Sequence, residues 1–214
     1  MRRLPQNIFV TGIGTGVGKT IASAVLTEAL QADYWKPIQC GNLEDSDTKT
    51  VQSLISNSSS KIYPEAYRLK TAASPHYAAS AENLEIELKE CKLPTTNNRL
   101  VIEGAGGIMV PLNQNELILD LIIKLKAPVV LVVRNYLGAI NHTLLSIDAL
   151  GQNGVELLGV VFSGEDFLDN EQIIQHFGKV KVLGRIDEAK NIDKEFIKQQ
   201  SVKLKTYLSQ HFTI

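Results

Sequence analysis

A glycine-rich segment near the amino terminus carries the strongest chemical signal in the sequence. Residues 12–20 read Gly-Ile-Gly-Thr-Gly-Val-Gly-Lys-Thr and lie between a short apolar run and an amphipathic stretch. Glycines let backbone N–H groups turn toward anionic oxygens, the side chain of Lys19 adds a positive charge, and the hydroxyl of Thr20 can bind Mg²⁺. This combination predicts a site for the phosphate groups of a nucleotide.

Two other interpretations of this segment fit less well. A glycine-rich turn that only packs a helix against a strand does not require the Gly-Lys-Thr ending. A dinucleotide site requires a carboxylate at the end of the second strand, where this chain has Lys36 and Pro37. The segment is therefore interpreted as a P-loop, one residue longer than the common form because its first glycines are Gly12 and Gly14.

Charged residues also lie near the carboxyl ends of two other apolar runs. Lys36 belongs to the run 34–38, and Glu103 ends the run 99–103 just before a Gly-Ala-Gly-Gly segment. The carboxyl ends of parallel strands meet at one edge of a sheet, so both side chains are expected beside the P-loop. An acidic residue at a strand end near a P-loop is a usual Mg²⁺ contact, whereas an unpaired buried carboxylate is costly.

Three segments are predicted to begin helices. Asp47 ends the acidic cluster 44–47, Glu-Asp-Ser-Asp, and its local sequence supports a helix cap and a metal ligand equally. Residues 74–76, Ser-Pro-His, are typical of an N-cap and a first turn. Residues 137–142, Leu-Gly-Ala-Ile-Asn-His, begin a helix that could bind an anion such as a carboxylate.

The order of apolar and amphipathic segments predicts the fold. Strands that are apolar on both faces and alternate with helices are typical of a mainly parallel sheet flanked by helices on both faces. We therefore expect a P-loop NTPase-like α/β fold with a single domain over residues 1–214. The predicted strands are 7–11, 34–38, 99–103, 128–134, 155–162 and 180–184. The predicted helices are 19–31, 47–56, 75–90, 117–126, 140–152, 168–177 and 193–210.

Composition and charge narrow the classes of function. The chain has 22 basic residues against 23 acidic ones, and its net charge of −1 gives no overall attraction to a nucleic acid or an acidic membrane. Its two cysteines, Cys40 and Cys91, lack the spacing of a metal or redox motif. We expect a soluble, cytoplasmic protein with no targeting segment, no membrane span and no nucleic-acid partner.

Six segments together resemble the dethiobiotin synthetases in order and spacing as far as residue 142. They are residues 12–20, 36–41, 46–47, 74–76, 103–107 and 137–142. The resemblance implies a homodimer that uses ATP and Mg²⁺ to close a ureido ring on 7,8-diaminononanoate (7,8-diaminopelargonate) with CO₂. The reaction would pass through a carbamate and a carbamic-phosphoric anhydride. The partners would be these small molecules and a second copy of the chain.

The resemblance also implies roles for individual residues. Lys19 and Lys36 would be catalytic, and the Mg²⁺ ligands would be Thr20, Asp47 and Glu103. The residues expected to bind the nucleotide are Gly14, Thr15, Gly16, Val17, Gly18, Lys19, Thr20, Asp47, Glu103, Gly104, Gly106, Ser163 and Gly184. Those expected to face the diamine are Thr15, Lys36, Cys40, Gly106 and Gly107. The substrate carboxylate would bind the second subunit at Gly138, Ala139, Ile140 and Asn141, so the substrate site would be shared across the dimer interface.

The chain beyond residue 142 departs from that family. Where the family often has an Asn-Asp pair to recognise the base, this chain has Ser163 and Gly164. Where the family often has Gly-Glu-Ile-Pro, residues 184–187 here read Gly-Arg-Ile-Asp. A hydroxyl offers fewer hydrogen bonds to a base than an amide does, so we expect weaker discrimination among nucleoside triphosphates.

Three other functions rank below this one. A deviant P-loop ATPase that dimerises as a partitioning or positioning switch usually has a second lysine early in its loop, where this chain has Ile13. An ATP-dependent amidotransferase of cobalamin synthesis needs a glutaminase domain, for which 214 residues leave no room. The third alternative is a non-catalytic nucleotide-binding module. Release of phosphate only in the presence of the diamine separates a synthetase from all three.

Overall fold

The computed structural model describes residues 1–167 and 169–214. The strands are β1 Arg2–Arg3, β2 Asn7–Gly12, β3 Asp33–Trp35, β4 Ile38–Cys40, β5 Ile62–Tyr63, β6 Tyr67–Leu69, β7 Leu100–Gly107, β8 Val129–Arg134, β9 Leu157–Ser163, β10 Val182–Ile186 and β11 Phe212–Thr213. The helices are α1 Lys19–Leu30, α2 Asp47–Leu54, α3 Pro75–Ala81, α4 Ile118–Leu125, α5 Ala139–Gln152, α6 Asn170–Gly178 and α7 Lys194–His211. Short 3₁₀ turns span Leu43–Asp45 and Leu88–Glu90.

Seven of these strands form one parallel sheet in the order β10-β9-β8-β2-β7-β3-β5. Its central strands are rich in Val, Ile and Leu because helices cover both faces. Helices α1, α2 and α7 pack on one face, and α3, α4, α5 and α6 pack on the other. The prediction of a P-loop NTPase-like α/β fold is therefore confirmed.

Two smaller pairs of strands complete the structure. Strand β4 pairs with β6, and β1 pairs with β11, both in parallel register. The sequence does not predict β1, β5, β6 or β11. Each has only two or three residues, which is too short for a periodic pattern to appear.

The predicted strand 34–38 is wrong as a single element. Strand β3 ends at Trp35 in the large sheet, and β4 begins at Ile38 in a separate pair. Pro37 interrupts the strand because it has no N–H group for a sheet hydrogen bond. Its carbonyl oxygen instead accepts hydrogen bonds from the N–H groups of Ala66 and Tyr67. Lys36 therefore lies at the carboxyl end of β3, beside the P-loop.

The predicted helix 75–90 is too long. Helix α3 ends at Ala81. Asn83, two residues later, has a φ of 55°, and a right-handed helix cannot continue through this left-handed conformation. The buried residues Ile86 and Leu88 are spaced by two, as in an extended chain. The other predicted helices agree with the structure to within two residues at each end. For the sixth helix the predicted first residue, Leu168, lies outside the described residues.

None of the helices in the two described ranges combines the length and the apolar character needed to cross a membrane.

Candidate active site

The side chain of Lys19 forms a hydrogen bond within the P-loop, which lies between β2 and α1. The Nζ atom of Lys19 donates a 2.8 Å hydrogen bond to the carbonyl oxygen of Gly14, so the side chain folds back across the loop. Gly18 precedes α1 with a φ of 93°, a conformation that glycine adopts without strain. The first N–H groups of α1 have no partners within the helix, and an anion can accept their hydrogen bonds.

Four side chains from four segments meet beside this loop. The hydroxyl of Thr20 lies 2.7 Å from Oδ1 of Asp47 and 3.0 Å from Oε1 of Glu103. The Nζ atom of Lys36 lies 2.9 Å from Oδ2 of Asp47 and 3.0 Å from Oε1 of Glu103. Lys36 is only 4% exposed and Glu103 only 1%. The contacts therefore join α1, α2 and β7 to the carboxyl end of β3.

Burial and the two carboxylates give the lysines different acidities. Burial alone would lower the pKa of Lys36, but the charges of Glu103 and Asp47 outweigh it and raise that pKa above 10.5. The pKa of Lys19 falls to about 8, because burial and the charge of Lys36 outweigh the opposing carboxylates. The pKa of Asp47 is lowered: burial opposes this, but the Lys36 ammonium group prevails.

These groups line one cleft of about 750 Å³ at the carboxyl edge of the sheet. The structure thus brings together most of the residues predicted from the sequence. Those that line the cleft are Thr15, Gly16, Gly18, Lys19, Thr20, Lys36, Cys40, Asp47, Glu103 and Gly106. Apolar groups complete its wall at Ile38, Pro75 and Val110.

Three other predicted residues pack behind the cleft wall. Val17 is buried in the core beneath the P-loop. A Cβ atom on Gly104 would lie 2.7 Å from the ring of Phe9, and one on Gly107 would lie 3.3 Å from the carbonyl oxygen of Gly12. These positions therefore allow the backbone of β7 to approach β2 closely.

Ser163 and Gly184 have different neighbours. A Cβ atom on Gly18 would come within 2.5 Å of the Ser163 hydroxyl, so Ser163 abuts the loop directly. A Cβ atom on Gly184 would instead meet Leu204 at 3.0 Å and Tyr207 at 3.4 Å. Gly184 therefore provides room for helix α7.

Gly138, Ala139, Ile140 and Asn141 do not line the cleft of the described chain. They form the N-cap and the first turn of α5, where Gly138 has a φ of 105°. Leu137, just before them, is 90% exposed. The hydroxyl of Tyr136 and Nδ1 of His142 are 2.6 Å apart and flank this turn. The structure thus leaves this turn on the surface, apart from the other predicted site residues.

The start of α2 has the cap that the sequence predicts. Ser46 is the N-cap residue, and its hydroxyl accepts a 3.3 Å hydrogen bond from the N–H group of Lys49. Asp47 occupies the first helical position while its carboxylate faces Lys36 and Thr20. Ser74 is the N-cap of α3 by its backbone, without a hydrogen bond from its side chain.

Sequence reasoning missed the roles of Tyr34 and Gln39. The hydroxyl of Tyr34 donates a 2.8 Å hydrogen bond to Oε2 of Glu103. Gln39 accepts a hydrogen bond from the N–H group of Asp47 and donates one to the carbonyl oxygen of Gly41. A polar side chain in a buried strand needs a hydrogen-bond partner. The polar side chains of Tyr34 and Gln39 within apolar runs could therefore have indicated contacts with other polar groups of the site.

Both cysteines are free thiols with raised pKa values. Burial raises the pKa of Cys40, in the cleft wall, to about 11, and it raises the pKa of Cys91 to about 11 as well. Because the thiolate is the reactive form, neither cysteine is an activated nucleophile at neutral pH.

Comparisons with known proteins find similar sequences over nearly the whole chain. A family model described as an AAA domain matches residues 6–196. The chain is 49% identical to the ATP-dependent dethiobiotin synthetase BioD of Christiangramia forsetii over 97% of its length and 100% of that protein. It is 48% identical to the ATP-dependent dethiobiotin synthetase BioD of Cytophaga hutchinsonii over 93% of its length and 97% of that protein.

Solved structures share the fold at low sequence identity. The septum site-determining protein MinD of Pyrococcus horikoshii, complexed with Mg-ADP, has a TM-score of 0.57 at 16% identity. It covers 99% of this chain, and the match spans 93% of that protein. The MinC:MinD cell division complex of Aquifex aeolicus gives a TM-score of 0.58 at 12% identity, over 96% of this chain and 95% of that one. These likenesses show the fold alone.

The two cleft lysines should titrate far apart. We expect Lys19 to lose its proton with a midpoint of about 8 and Lys36 to stay protonated beyond 10.5. NMR of the lysine Cε and Nζ resonances between neutral and strongly basic pH measures both midpoints. The variants Lys19→Arg and Lys36→Arg assign the two signals. A midpoint for Lys19 at or above the ordinary lysine value would contradict the electrostatic description of the cleft.

Proposed function

The chain belongs to the ATP-dependent dethiobiotin synthetases, and we propose that the cleft at its P-loop closes the ureido ring of dethiobiotin on 7,8-diaminononanoate. The substrates are small molecules, and the reaction consumes ATP. One observation carries the assignment of the cleft: Lys19 and Lys36 reach the same space as Thr20, Asp47 and Glu103. We propose a cytoplasmic location and one synthetase domain over residues 1–214 as parts of the same assignment.

The residues beside the P-loop suit a Mg²⁺ ion. Asp47 and Glu103 provide carboxylate oxygens, and Thr20 provides a hydroxyl within hydrogen-bond distance of both. Hard oxygen donors of this kind are what Mg²⁺ prefers, usually together with phosphate oxygens and water. When bound, the ion neutralises charge on the phosphate groups. We propose Thr20, Asp47 and Glu103 as the residues that hold it.

The first chemical step needs a neutral amine, and the cationic side chains favour that form. A positive charge close to an amine lowers the pKa of its ammonium form. Lys36 keeps its own charge because its carboxylate partners outweigh the effect of burial on its pKa. One substrate amine then adds to CO₂ and loses a proton to water. The resulting carbamate anion is stabilised by the ammonium groups of Lys36 and Lys19.

The second step transfers a phosphoryl group. A carbamate oxygen attacks the γ-phosphorus of ATP, and ADP leaves with the electron pair of the broken bond. The product is a carbamic-phosphoric anhydride. Negative charge is lost from the attacking carbamate oxygen and develops on the leaving oxygen of ADP, and two lysines in one cleft can stabilise it at both ends. We propose this role for Lys19 and Lys36, with the nucleotide bound along residues 14–20 and near Gly104, Gly106, Ser163 and Gly184.

Ring closure then needs no protein nucleophile. The second amine attacks the carbonyl carbon, a C–N bond forms, and phosphate leaves with the electrons of the C–O bond. The nitrogen loses a proton. Because both reacting groups belong to one bound molecule, positioning alone can supply about 7–11 kcal/mol of the barrier. The raised pKa of Cys40, caused by burial, is consistent with a non-nucleophilic role in the cleft wall.

The substrate chain is proposed to extend from the cleft to a second subunit. Thr15, Lys36, Cys40, Gly106 and Gly107 would face the diamine, and the apolar cleft wall suits its methylene groups. The far carboxylate would need a separate anion site. The first turn of α5 lies at the surface, and its N–H groups at Ile140 and Asn141 have no helical partners, whereas that of Ala139 bonds the carbonyl oxygen of Tyr136. We propose that residues 138–141 of the second subunit of a homodimer supply that site.

The positioning-switch alternative has only a shared fold in its favour. The similar MinD structures are at most 16% identical to this chain. Ile13 stands where such switches usually carry a second lysine. By contrast, the match to the dethiobiotin synthetases extends over nearly the whole chain at 49% identity.

The proposed function predicts phosphate release that depends on the diamine. The purified protein is incubated with 7,8-diaminononanoate, bicarbonate, Mg²⁺ and ATP, and phosphate and dethiobiotin are measured together. We expect equal amounts of both products and no phosphate when the diamine is omitted. Steady ATP hydrolysis without the diamine, or phosphate release without dethiobiotin, would contradict the function.

Replacing Lys36 should separate nucleotide binding from ring closure. Lys19 and the P-loop backbone remain in Lys36→Ala, so we expect ADP binding by calorimetry to change little. Dethiobiotin formation should fall below detection because Lys19 alone then faces the carbamate, without the second cation that stabilises its charge during transfer. Lys89→Ala, which removes an exposed lysine outside the cleft, is the matched control and should retain activity. Turnover near the wild-type rate in Lys36→Ala would exclude the proposed role.

The base-binding region predicts broad use of nucleoside triphosphates. Ser163 abuts the P-loop, and its hydroxyl offers fewer hydrogen bonds to a base than an amide would. We expect initial rates with ATP, CTP and GTP to differ by about tenfold or less, as for a site that lacks a specific polar pairing. A preference for ATP of several orders of magnitude would show that other groups recognise adenine.

A further inference from the structure

Tyr34 places a hydroxyl group in the core directly behind the proposed metal site. The side chain is fully buried in β3, and its hydroxyl donates a 2.8 Å hydrogen bond to Oε2 of Glu103. Strand β3 pairs with β7 in parallel, with Tyr34 opposite Val101. Glu103 lies two residues beyond Val101 and therefore on the same face of the sheet. The backbone register thus aims the ring of Tyr34 at the carboxylate.

The two oxygens of Glu103 have different partners. Oε1 accepts hydrogen bonds from Thr20 and Lys36 at the cleft, each at 3.0 Å. Oε2 points into the core, and Tyr34 is its hydrogen-bond donor among the described residues. The tyrosine therefore fixes which oxygen of the carboxylate faces the cleft. Without it, a carboxylate that is 1% exposed would have an oxygen without a partner.

The hydroxyl is suited to act only as a donor. The phenol has a single O–H group, and a carboxylate oxygen such as Oε2 of Glu103 can only accept, so Tyr34 is the donor in this contact. Packing alone would not require this group, since phenylalanine fills nearly the same volume without a polar atom to satisfy. The contact with the Glu103 carboxylate therefore explains why this position has a tyrosine and not a phenylalanine.

We propose that Tyr34 is a positioning residue for Mg²⁺ binding, which acts by orienting the carboxylate of Glu103. The inference rests on the proposed function, in which Glu103 is a ligand of the ion. Groups that hydrogen-bond to a metal ligand orient it and tune its affinity, and their loss typically weakens metal binding about 10-fold to 100-fold.

The test compares Tyr34→Phe with the wild type and with Tyr63→Phe. Tyr63 is a matched control because it lies on the neighbouring strand β5 and also bonds a carboxylate, Oδ2 of Asp33, away from the cleft. Binding of Mn²⁺ to the enzyme–ADP complex is measured by the electron paramagnetic resonance of free Mn²⁺. The Mg²⁺ concentration that gives half the maximal rate is measured in parallel.

We expect the Kd for Mn²⁺ and the half-saturating Mg²⁺ concentration to rise about 10-fold in Tyr34→Phe. Both quantities should stay unchanged in Tyr63→Phe. Saturating Mg²⁺ should restore most of kcat, and the KM for the diamine should stay the same. Wild-type affinity for Mn²⁺ in a folded Tyr34→Phe would overturn the proposal. A loss of kcat that Mg²⁺ does not restore would also overturn it, because it would indicate a structural role.

A second measurement tests the proposal even if the Tyr34→Phe variant does not fold. 3-Fluorotyrosine incorporated at position 34 keeps the hydroxyl, and its fluorine resonance reports on the hydrogen bond to Glu103. That resonance should move as Mg²⁺ is added to the ADP complex, and an unmoved resonance at saturating Mg²⁺ would refute the inference. Failure of the wild type to make dethiobiotin would refute the proposed function instead, and direct Mn²⁺ binding would still test the role of Tyr34.

Discussion

The active-site cleft depends on one buried ammonium group shared by two carboxylates. Lys36 is almost fully buried, and its charge is compensated by Glu103 and Asp47 at 3.0 and 2.9 Å. Removing one partner from such a cluster leaves an uncompensated buried charge, which typically costs about 3–5 kcal/mol. The three residues come from different segments of the chain. Their mutual attraction therefore fixes the end of β3, the start of α2 and the middle of β7 in one arrangement.

That arrangement also places groups suited to cations beside groups suited to anions. The carboxylates face Lys36 and Thr20, whereas Lys19 spans the P-loop and contacts the carbonyl oxygen of Gly14. The cleft thus presents acidic oxygens on one wall and N–H groups on another. Phosphoryl transfer to a carbamate needs both kinds of group, since catalysis of this step consists of positioning and charge stabilisation.

The P-loop and the cluster around it could be predicted because parallel strands end at one edge of the sheet. Glu103 ends an apolar run and Lys36 directly follows β3, so the topology alone brings them to residues 12–20. The break at Pro37 has a local signal in the missing N–H group of proline, whereas the early end of α3 could not be predicted, because core packing overrode the local pattern. The contact of Tyr34 with Glu103 depends on strand register, which the sequence does not specify.

The central claim is that Lys19 and Lys36 converge on the group being transferred. The most direct measurement is a crystal structure of the enzyme with the diamine, bicarbonate, Mg²⁺ and a non-hydrolysable ATP analogue. We expect both Nζ atoms to lie within hydrogen-bond distance of the γ-phosphate or the carbamate oxygens. A complex in which Lys36 contacts only Glu103 and Asp47, with the carbamate bound elsewhere, would contradict it.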